Sequence, residues 1–144
     1  MNNKRRITIK DGYGKMDFTR IEKMLSKSYW SPGIKKSEIT KGAKNSELVV
    51  GVFDADGIQI GYARVISDLT RFAYIMDVFV DQAHRGKGIG QKMIKYILSH
   101  PKMKDVYQWL LITKDARGFY KKIGFKPTSR PQDWMEIRHK RPKR

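Results

Sequence analysis

The residues with the clearest chemical signature lie in one short run, RGKGIG, at positions 85–90. Three glycines in five residues raise the entropic cost of folding, which is tolerated where the backbone must bend sharply or be approached closely. An apolar helical pattern follows, and the first N–H groups of a helix lack internal partners and attract anions. Arg85 and Lys87 add positive charge. The run predicts a phosphate-binding turn, and the alternative is a tight strand-to-helix turn that merely requires glycine.

Two familiar phosphate-binding motifs do not fit this run. The dinucleotide fingerprint requires a third glycine at position 91, where Gln91 stands. The P-loop requires glycine at position 81 and Ser or Thr at position 88, and these positions hold Asp81 and Gly88. The spacing that remains is Arg85, Gly88 and Gly90, or Arg/Gln-x-x-Gly-x-Gly/Ala.

Apolar periodicity and turn residues predict the elements that position this run. Strands are expected in RITIK near the start and over 47–54, 58–68, 71–81, 106–113 and 133–138. Helices are expected over 17–28 with Asp17 as N-cap, and over 35–45, 88–99 and 115–125.

The order of these elements predicts an α/β (mixed α+β) fold. Strand 71–81 is apolar on both faces and is expected at the centre of the sheet. The strand–helix–strand unit over 71–113 implies one parallel, right-handed crossover. The other strands are joined by short turns, so the sheet is expected to be mixed and mostly antiparallel, with helices on both faces.

Length and composition set outer bounds. The chain has 144 residues, which fits one domain, predicted over 1–138 with a basic tail over 139–144. There are no cysteines and no apolar run that could cross a bilayer, so we expect a cytoplasmic protein without thiolate chemistry. Lys and Arg number 31 against 14 Asp and Glu, a net charge of +17 with basic residues crowded at both ends. Such a charge attracts polyanions, although terminal basic runs are commonly solvated tails.

Two motifs together resemble the GNAT superfamily of N-acetyltransferases. The Arg85, Gly88 and Gly90 spacing is similar to that family's acetyl-CoA pyrophosphate loop. Downstream, DARGFYKKIGF is similar to its A-x-x-x-Tyr-x-x-x-Gly-Phe element at Ala116, Tyr120, Gly124 and Phe125. The resemblance covers roughly residues 45–138. The stretches YWSPG, YARVISD, MDVFV and WMEI resemble a branch of small, bacterial-type members.

The resemblance implies a GNAT-like domain that binds acetyl-CoA and transfers its acetyl group to a primary amine. The pantetheine arm of the cofactor is expected to pair with the backbone of strand 71–81, which must splay from strand 106–113. A backbone N–H near Val78 is the expected donor to the carbonyl oxygen. The implied cofactor-binding residues are Val78, Phe79, Val80, Arg85, Gly86, Lys87, Gly88, Ile89, Gly90 and Thr113.

Two residues are the candidates for proton transfer. The motif position of Tyr120 implies a general acid for the departing sulfur, and the alternative is a core aromatic on an amphipathic helix. Asp77, on the expected cofactor strand, is the candidate general base, acting through water. Its alternative is a structural carboxylate that pairs with Arg64. Glu47, Asp68 and Glu136 are further candidates for the base, and His84 is interpreted as a surface residue. No metal site is expected.

The amine-binding side is expected at the first helices, where Tyr29, Trp30 and Arg64 are the candidate substrate-binding residues. Tyr29 and Trp30 suit an apolar or cationic acceptor, or form a hydrophobic plug after the first helix. Arg64 suits a carboxylate on a small-molecule or peptide amine. Without cysteine, direct attack in a ternary complex is expected, by a monomer or homodimer that is not attached to a membrane.

Two other functions are compatible with the sequence. The net charge is compatible with a nucleic-acid-binding module, although no basic stripe interleaved with aromatic residues supports it. A GNAT-like fold that binds acyl-CoA without transferring the acyl group is the second. Salt-sensitive nucleic-acid binding without CoA binding distinguishes the first, and CoA binding without turnover the second.

Overall fold

A computed structural model describes residues 6–144, so part of the basic run over 4–6 lies outside the described residues. The strands are β1 (Thr8–Asp11), β2 (Leu48–Phe53), β3 (Gln59–Ser67), β4 (Phe72–Val80) and β5 (Gln108–Leu110). The α-helices are α1 (Phe18–Leu25), α2 (Lys36–Lys44), α3 (Ile89–Leu98) and α4 (Arg117–Ile123). Contacts divide the chain into two units, 1–112 and 113–144. The single domain over 1–138 and its tail stay predictions.

The five strands form one sheet in the order β1-β2-β3-β4-β5. The first three pairings are antiparallel, and β4 pairs with β5 in parallel across the α3 connection. The mixed, mostly antiparallel sheet with one parallel crossover is therefore confirmed. A hairpin turn joins β2 to β3, as the adjacent strands expected over 47–54 and 58–68 require, and Gly57 donates its N–H to the Asp54 carbonyl oxygen there.

Helices cover both faces of this sheet, as predicted. Successive side chains of a strand point to opposite faces, so each strand contributes residues to two cores. Val49, Phe53 and Tyr62 belong to a core with α1 and α2. Side chains that point to the other face, among them Val50 and Val65, are also buried, and α3 contacts the same strands. A central strand of the sheet thus has both faces covered, which explains why β3 and β4 are apolar at successive positions.

Asp17 caps α1 as predicted, and a buried amide anchors that end of the helix to the sheet. The Asp17 carboxylate accepts from the Arg20 N–H. Gln59, fully buried at the start of β3, accepts from the Asp17 N–H at 2.8 Å and donates to the Gly61 carbonyl oxygen at 3.0 Å. Because its amide is fully hydrogen-bonded at both ends, this polar side chain is tolerated in the core.

Two strand predictions are wrong in extent or type. The strand predicted over 106–113 contains only three paired residues, and Ile112 beyond it is 83% exposed. Residues 133–138 form no strand: a 3-10 turn, Pro131–Asp133, precedes an irregular segment in which Met135 is 95% exposed. The apolar alternation there has no neighbouring strand to pair with, and alternation alone does not supply one.

The unit over 113–144 is organised around α4. Its helix ends at Gly124, which adopts a left-handed conformation and donates to the Lys121 carbonyl oxygen, a common way for glycine to end a helix. Tyr120 is buried, and its ring packs edge-on against Phe119 and Phe125. Within residues 6–144, no helix has the length and apolar character needed to span a membrane.

Candidate functional site

The glycine turn between β4 and α3 combines a left-handed backbone with open space. Gly86 and Gly88 have φ values of +79° and +77°, which side chains with a Cβ rarely adopt. A Cβ built on either residue would meet no other group within 4 Å. The conformation therefore requires glycine, in agreement with the structural alternative, and the same residues also leave the backbone accessible to a ligand.

The N-terminus of α3 presents uncapped amides beside this turn. Gly88 is the N-cap and provides no side-chain oxygen, and the first helical turn contains no acidic residue. The first helical bond runs from the Lys92 N–H to the Gly88 carbonyl oxygen. The N–H groups of Ile89 and Gly90 precede that bond and therefore lack helical partners. With exposed Arg85 and Lys87 nearby in sequence, this end of α3 is a suitable anion site.

The β4 strand has one edge that is paired only at its start. Its parallel ladder with β5 ends at the pair Tyr74 and Leu110. In the described part of the chain, residues 75–80 have no strand neighbour on that edge, whereas β3 accompanies them on the other. The ladder therefore ends early enough to leave this edge open, as the expected splay between these strands requires. An extended ligand can add to such an edge through backbone hydrogen bonds.

Backbone alternation decides which residues of β4 face the open edge. Asp81 donates its N–H to Ile60 of β3 at 2.7 Å, so the backbone groups of the preceding Val80 face the other way. Phe79 is opposite Tyr62 and faces β3 by the same alternation, and its ring lies 6.2 Å from that of Trp30. The backbone of Val80 can thus pair with a ligand at the open edge. The backbone of Phe79 cannot, so only its ring could contact a ligand.

A bulge interrupts β4 within the same stretch. On β3, Tyr62 is opposite Phe79 and Arg64 is opposite Met76. The one β3 residue between them, Ala63, is therefore opposite two β4 residues, Asp77 and Val78. Asp77 has a φ of +57°, a left-handed conformation that is uncommon for a non-glycine residue. Because a bulge disrupts the local ladder, the backbone near Val78 is the part of β4 best able to donate to a ligand.

Asp77 forms an ion pair with Arg64 near the bulge. Arg64 Nε donates to Asp77 Oδ2 at 2.7 Å, and the two side chains are only 15% and 11% exposed. The structural alternative for Asp77 is therefore present as a contact. Among the described residues, no group donates to its second oxygen, Oδ1, so the carboxylate keeps an acceptor for another proton donor.

The other carboxylates considered for the base have different surroundings. Asp68 accepts from the N–H groups of Thr70, Arg71 and Phe72, and these bonds, led by that from Arg71, hold its pKa well below the ordinary value. It therefore stabilises the β3–β4 turn. Glu47 pairs with Lys102 at 3.0 Å. Glu136 is exposed in the second unit.

The aromatic pair after α1 is partly exposed and partly in the core. The rings of Tyr29 and Trp30 meet edge-on at 5.1 Å, and Trp30 packs against the core beneath α1 and α2. Tyr29 is about half exposed. Trp30 therefore fits the plug interpretation, whereas the Tyr29 ring is half in contact with solvent.

Thr113 and Tyr120 lie in the second unit. The Thr113 hydroxyl oxygen accepts from the Ala116 N–H at 3.0 Å and so stabilises the turn that begins α4. Its own O–H is still able to donate. Tyr120 sits on α4 among aromatic rings, which agrees with its predicted place on an amphipathic helix.

Two sets of residues near the site were not predicted. Asp81 accepts from Arg20 of α1 at 3.0 Å and has His84 Nδ1 at 3.6 Å, so it anchors the entry to the glycine turn. Arg20 and Asp81 are 61 positions apart, and no local pattern connects them. Tyr62 is fully buried beside the bulge, and the alternation of YARVISD, which places it on the same face as Arg64, was an available signal.

Residues 6–144 contain no cluster of three His, Asp or Glu side chains able to hold a metal ion.

The glycine turn, the open β4 edge and the uncapped α3 amides together define the candidate site as one for an elongated, anionic ligand.

Comparison with known proteins gives concordant results. A family model described as an acetyltransferase (GNAT) domain matches residues 45–127. A solved structure of a protein assigned to the GNAT family from Xanthomonas campestris pv. campestris superposes with a TM-score of 0.85 at 34% identity, covering 93% of this chain and 94% of that one.

Two curated relatives carry names that specify different acceptors. Glucosamine 6-phosphate N-acetyltransferase 1 of Oryza sativa subsp. japonica is 29% identical over 80 residues, 55% of this chain and 48% of the relative. Histone acetyltransferase TAP1 of Glycine max is 27% identical over 123 residues, 78% of this chain and 53% of the relative. The chain spans about half the length of these curated relatives.

Proposed function

The chain belongs to the GNAT acetyltransferase family, and on that premise we propose that it transfers the acetyl group of acetyl-CoA to a primary amine. Members of this family generally use acetyl-CoA. The observation that carries the proposal is the continuity of three features in one segment: the unpaired edge over residues 75–80, the left-handed glycine turn and the uncapped N-terminus of α3.

The residues of this segment fit the parts of acetyl-CoA. Val78 and Val80 hold the pantetheine amides through their backbone groups at the open β4 edge, and Phe79 contributes its ring. The amides of Gly86, Gly88, Ile89 and Gly90 hold the pyrophosphate, with charge from Arg85 and Lys87. Thr113 donates its hydroxyl proton to the cofactor. A Cβ at Gly86 or Gly88 would meet no protein group within 4 Å, so the space around these residues is open to a ligand.

When bound, the thioester supplies an activated acetyl group. The N–H of Val78 donates to the carbonyl oxygen and stabilises the negative charge that develops there. Asp77, through Oδ1 and a water molecule, accepts the proton that the amine loses. With the thioester bound, the amine nitrogen would bond to the carbonyl carbon, and the carbon–sulfur bond would then break. Tyr120 donates a proton to the sulfur, so that free CoA leaves. Its role rests on its position in the DARGFYKKIGF motif.

Direct attack is the route that this chain favours, because it has no cysteine to carry the acetyl group. The rate then depends on holding donor and amine together, which is a matter of positioning more than of covalent chemistry. Acetyl-CoA and amine must accordingly be bound at the same time.

The acceptor is proposed only as a primary amine, on a small molecule or a peptide. The curated relatives are named for a sugar phosphate and for histones, so their names do not agree on a class. We place the acceptor beside Tyr29 and Trp30, whose rings can contact a cationic amine. Arg64 would pair with an acceptor carboxylate only through donor positions that Asp77 and Ser46 do not use.

The proposal is tested by calorimetry followed by an acceptor screen. Titration of the folded protein with acetyl-CoA and with CoA measures binding, and release of free CoA thiol measures transfer across a panel of amines. Saturable binding and amine-dependent thiol release support the proposal. Absence of binding would contradict it outright, and binding without turnover on any amine would favour an acyl-CoA-binding protein. A parallel salt titration with duplex and single-stranded nucleic acid tests the basic surface separately.

A further inference from the structure

The bulge in β4 places a strained residue at the point where the proposed chemistry occurs. Asp77 and Leu69 are the two non-glycine residues with positive φ in the described chain. Leu69 lies in the turn before β4, whereas Asp77 lies within the strand. A left-handed residue inside a strand costs free energy, so it persists only where surrounding contacts enforce it.

Arg64 supplies these contacts by connecting the bulge to α2. Its Nε donates to Asp77 Oδ2 at 2.7 Å, and its Nη1 donates to Ser46 Oγ at 3.2 Å. Ser46 in turn donates to the carbonyl oxygen of Gly42 at 2.7 Å. The chain of hydrogen bonds therefore begins at the C-terminal part of α2 and ends on the carboxylate of the bulge.

Packing also fixes the guanidinium of Arg64. A Cβ built at Gly42 would lie 3.4 Å from Arg64 Cζ, so the guanidinium lies directly against the α2 backbone. The Arg64 side chain is 15% exposed and commits two of its nitrogens to protein partners. This geometry is typical of a side chain that holds other groups in place. It is less suited to a side chain that binds a carboxylate from solvent.

The surroundings of the ion pair keep its electrostatics strong. Tyr62 is fully buried next to it, and the pKa of its hydroxyl is raised first by burial and then by the negative charge of Asp77. Arg64 opposes that effect, and Tyr13 adds to it. A charge pair shielded from water in this way interacts more strongly than one on the surface.

We propose that Arg64 is a positioning residue, which holds Asp77 in its left-handed conformation and thereby sets the direction of the Val78 N–H and of Asp77 Oδ1. The inference rests on the proposed function for its catalytic consequence. Its structural part, that Arg64 maintains the bulge, stands on the hydrogen bonds alone.

The test compares Arg64→Lys with Arg71→Lys, a matched control. Arg71 lies in the β3–β4 turn, is exposed and donates to the Tyr107 hydroxyl. A lysine at position 64 can reach Asp77 or Ser46 but not both, because it lacks the planar fork of arginine. A double variant, Arg64→Met with Asp77→Asn, removes both charges and avoids leaving one buried and unpaired.

Hydrogen exchange measured by NMR reports on the bulge without requiring activity. We expect the amides of Met76 and Phe79, which flank the bulge, to exchange about 10-fold faster or more in Arg64→Lys and in the double variant. Val50 in β2 and all amides of Arg71→Lys should keep their rates. Unchanged exchange at Met76 and Phe79 in both Arg64 variants would overturn the inference.

Kinetics then separates positioning from acceptor binding. For the best amine from the screen, Arg64→Lys should lower kcat about 10-fold or more, with the KM for the amine and the Kd for acetyl-CoA nearly unchanged. A raised amine KM at unaltered kcat would instead make Arg64 an acceptor ligand and refute the proposal. If the wild-type protein neither binds acetyl-CoA nor turns over, the proposed function fails, and the exchange experiment still decides whether Arg64 holds the bulge.

Discussion

Arg85 Nε donates to the backbone oxygen of Val80 at 3.0 Å, and the Arg85 guanidinium lies 5.2 Å from the centre of the Phe79 ring. The first residue of the glycine turn thus reaches back over the open edge of β4. Two parts of the proposed acetyl-CoA site, the phosphate turn and the pantetheine strand, are connected by this side chain. A ligand that donates to the Val80 oxygen competes with Arg85 for it, and an Arg85 side chain released in this way could contact the phosphates.

Arg85→Gln is predicted to weaken acetyl-CoA binding about 5- to 10-fold at low salt, because the neutral amide loses its attraction to the pyrophosphate. The difference from wild type should shrink in 1 M salt, where charge interactions are screened. Calorimetry at two salt concentrations measures both effects. Lys104→Gln, at the end of the 3-10 turn Pro101–Met103 that follows α3, is the control. An equal loss of affinity in this variant would point to a general charge effect.

A bulky side chain in the glycine turn should abolish binding without unfolding the protein. Gly88→Leu adds a side chain to open space at the residue that precedes α3, and it strains a left-handed backbone. Gly57→Leu is a matched control, since Gly57 has a φ of +80° in the β2–β3 hairpin and equally open surroundings. Both variants should lose comparable stability in urea unfolding, and only Gly88→Leu should lose acetyl-CoA affinity. Retained affinity in Gly88→Leu would remove the turn from the site.

Tyr120→Phe is predicted to lower kcat by about 100-fold while KM changes little, because the proton donor is lost and the ring is kept. Phenylalanine keeps the ring that packs against Phe119 and Phe125, so we expect the fold to survive. Steady-state kinetics with the best acceptor measures the effect, and Tyr107→Phe serves as the control. An unaltered rate would return Tyr120 to a purely structural role.

Asp77→Asn should change the dependence of kcat/KM on pH. The asparagine oxygen can still accept from Arg64 Nε, so the contact that is 2.7 Å long in the wild type has a replacement, but the amide cannot take up a proton. We expect a lower rate and loss of the acidic limb of the pH–rate profile. A profile of the same shape in the variant would show that another group is the base.

Acid should weaken the fold through a cluster remote from the glycine turn. Tyr96 donates to the Asp11 carboxylate, His100 Nε2 lies 3.3 Å from it, and the bond from Tyr96 is the main reason that the pKa of Asp11 is lowered. A carboxyl whose pKa is lower in the folded state than in the unfolded state stabilises the fold. This stabilisation is complete above the pKa of the unfolded state, about 4, and is lost as the pH falls through the pKa of the folded state.

Tyr96→Phe is therefore predicted to cost about 1 kcal/mol at pH 7, discounted for partial exposure, and less at pH 3. The pKa of Tyr96 is raised by the same bond, so the cost should also shrink in strong alkali. Urea unfolding at pH 3 and pH 7 measures the difference. A cost that is the same at both pH values would mean that the Asp11 carboxylate is not involved.

Much of the fold follows from local patterns. The helical spacing of Ile89, Met93, Ile94 and Ile97 predicts α3, and all four side chains are buried on it. The glycine run predicts a turn that only glycine adopts readily, and Gly86 and Gly88 are left-handed. These properties depend on the conformational preferences and polarity of neighbouring residues, which the sequence states directly.

The contacts that build the site come from the tertiary structure. No local pattern sets the end of the β4–β5 ladder at Tyr74 and Leu110, and apolar residues continue past it in both strands. The same residues read as a longer buried strand over 106–113, and Ile112 is exposed. Apolar alternation reports that a segment can be half-buried, but pairing requires a neighbour, and only the arrangement of the whole sheet supplies one.

The sequence by itself thus determined the order of the elements as far as α4, the mixed sheet and the left-handed glycine turn. It left the two interpretations of Asp77 unresolved, because its partner, Arg64, is 13 positions away and on another strand. The tertiary structure decided that contact, the bulge and the open edge of β4. The physical reason is that conformational preference is a property of adjacent residues, whereas a hydrogen bond between strands depends on register, and register is fixed only when the sheet is assembled.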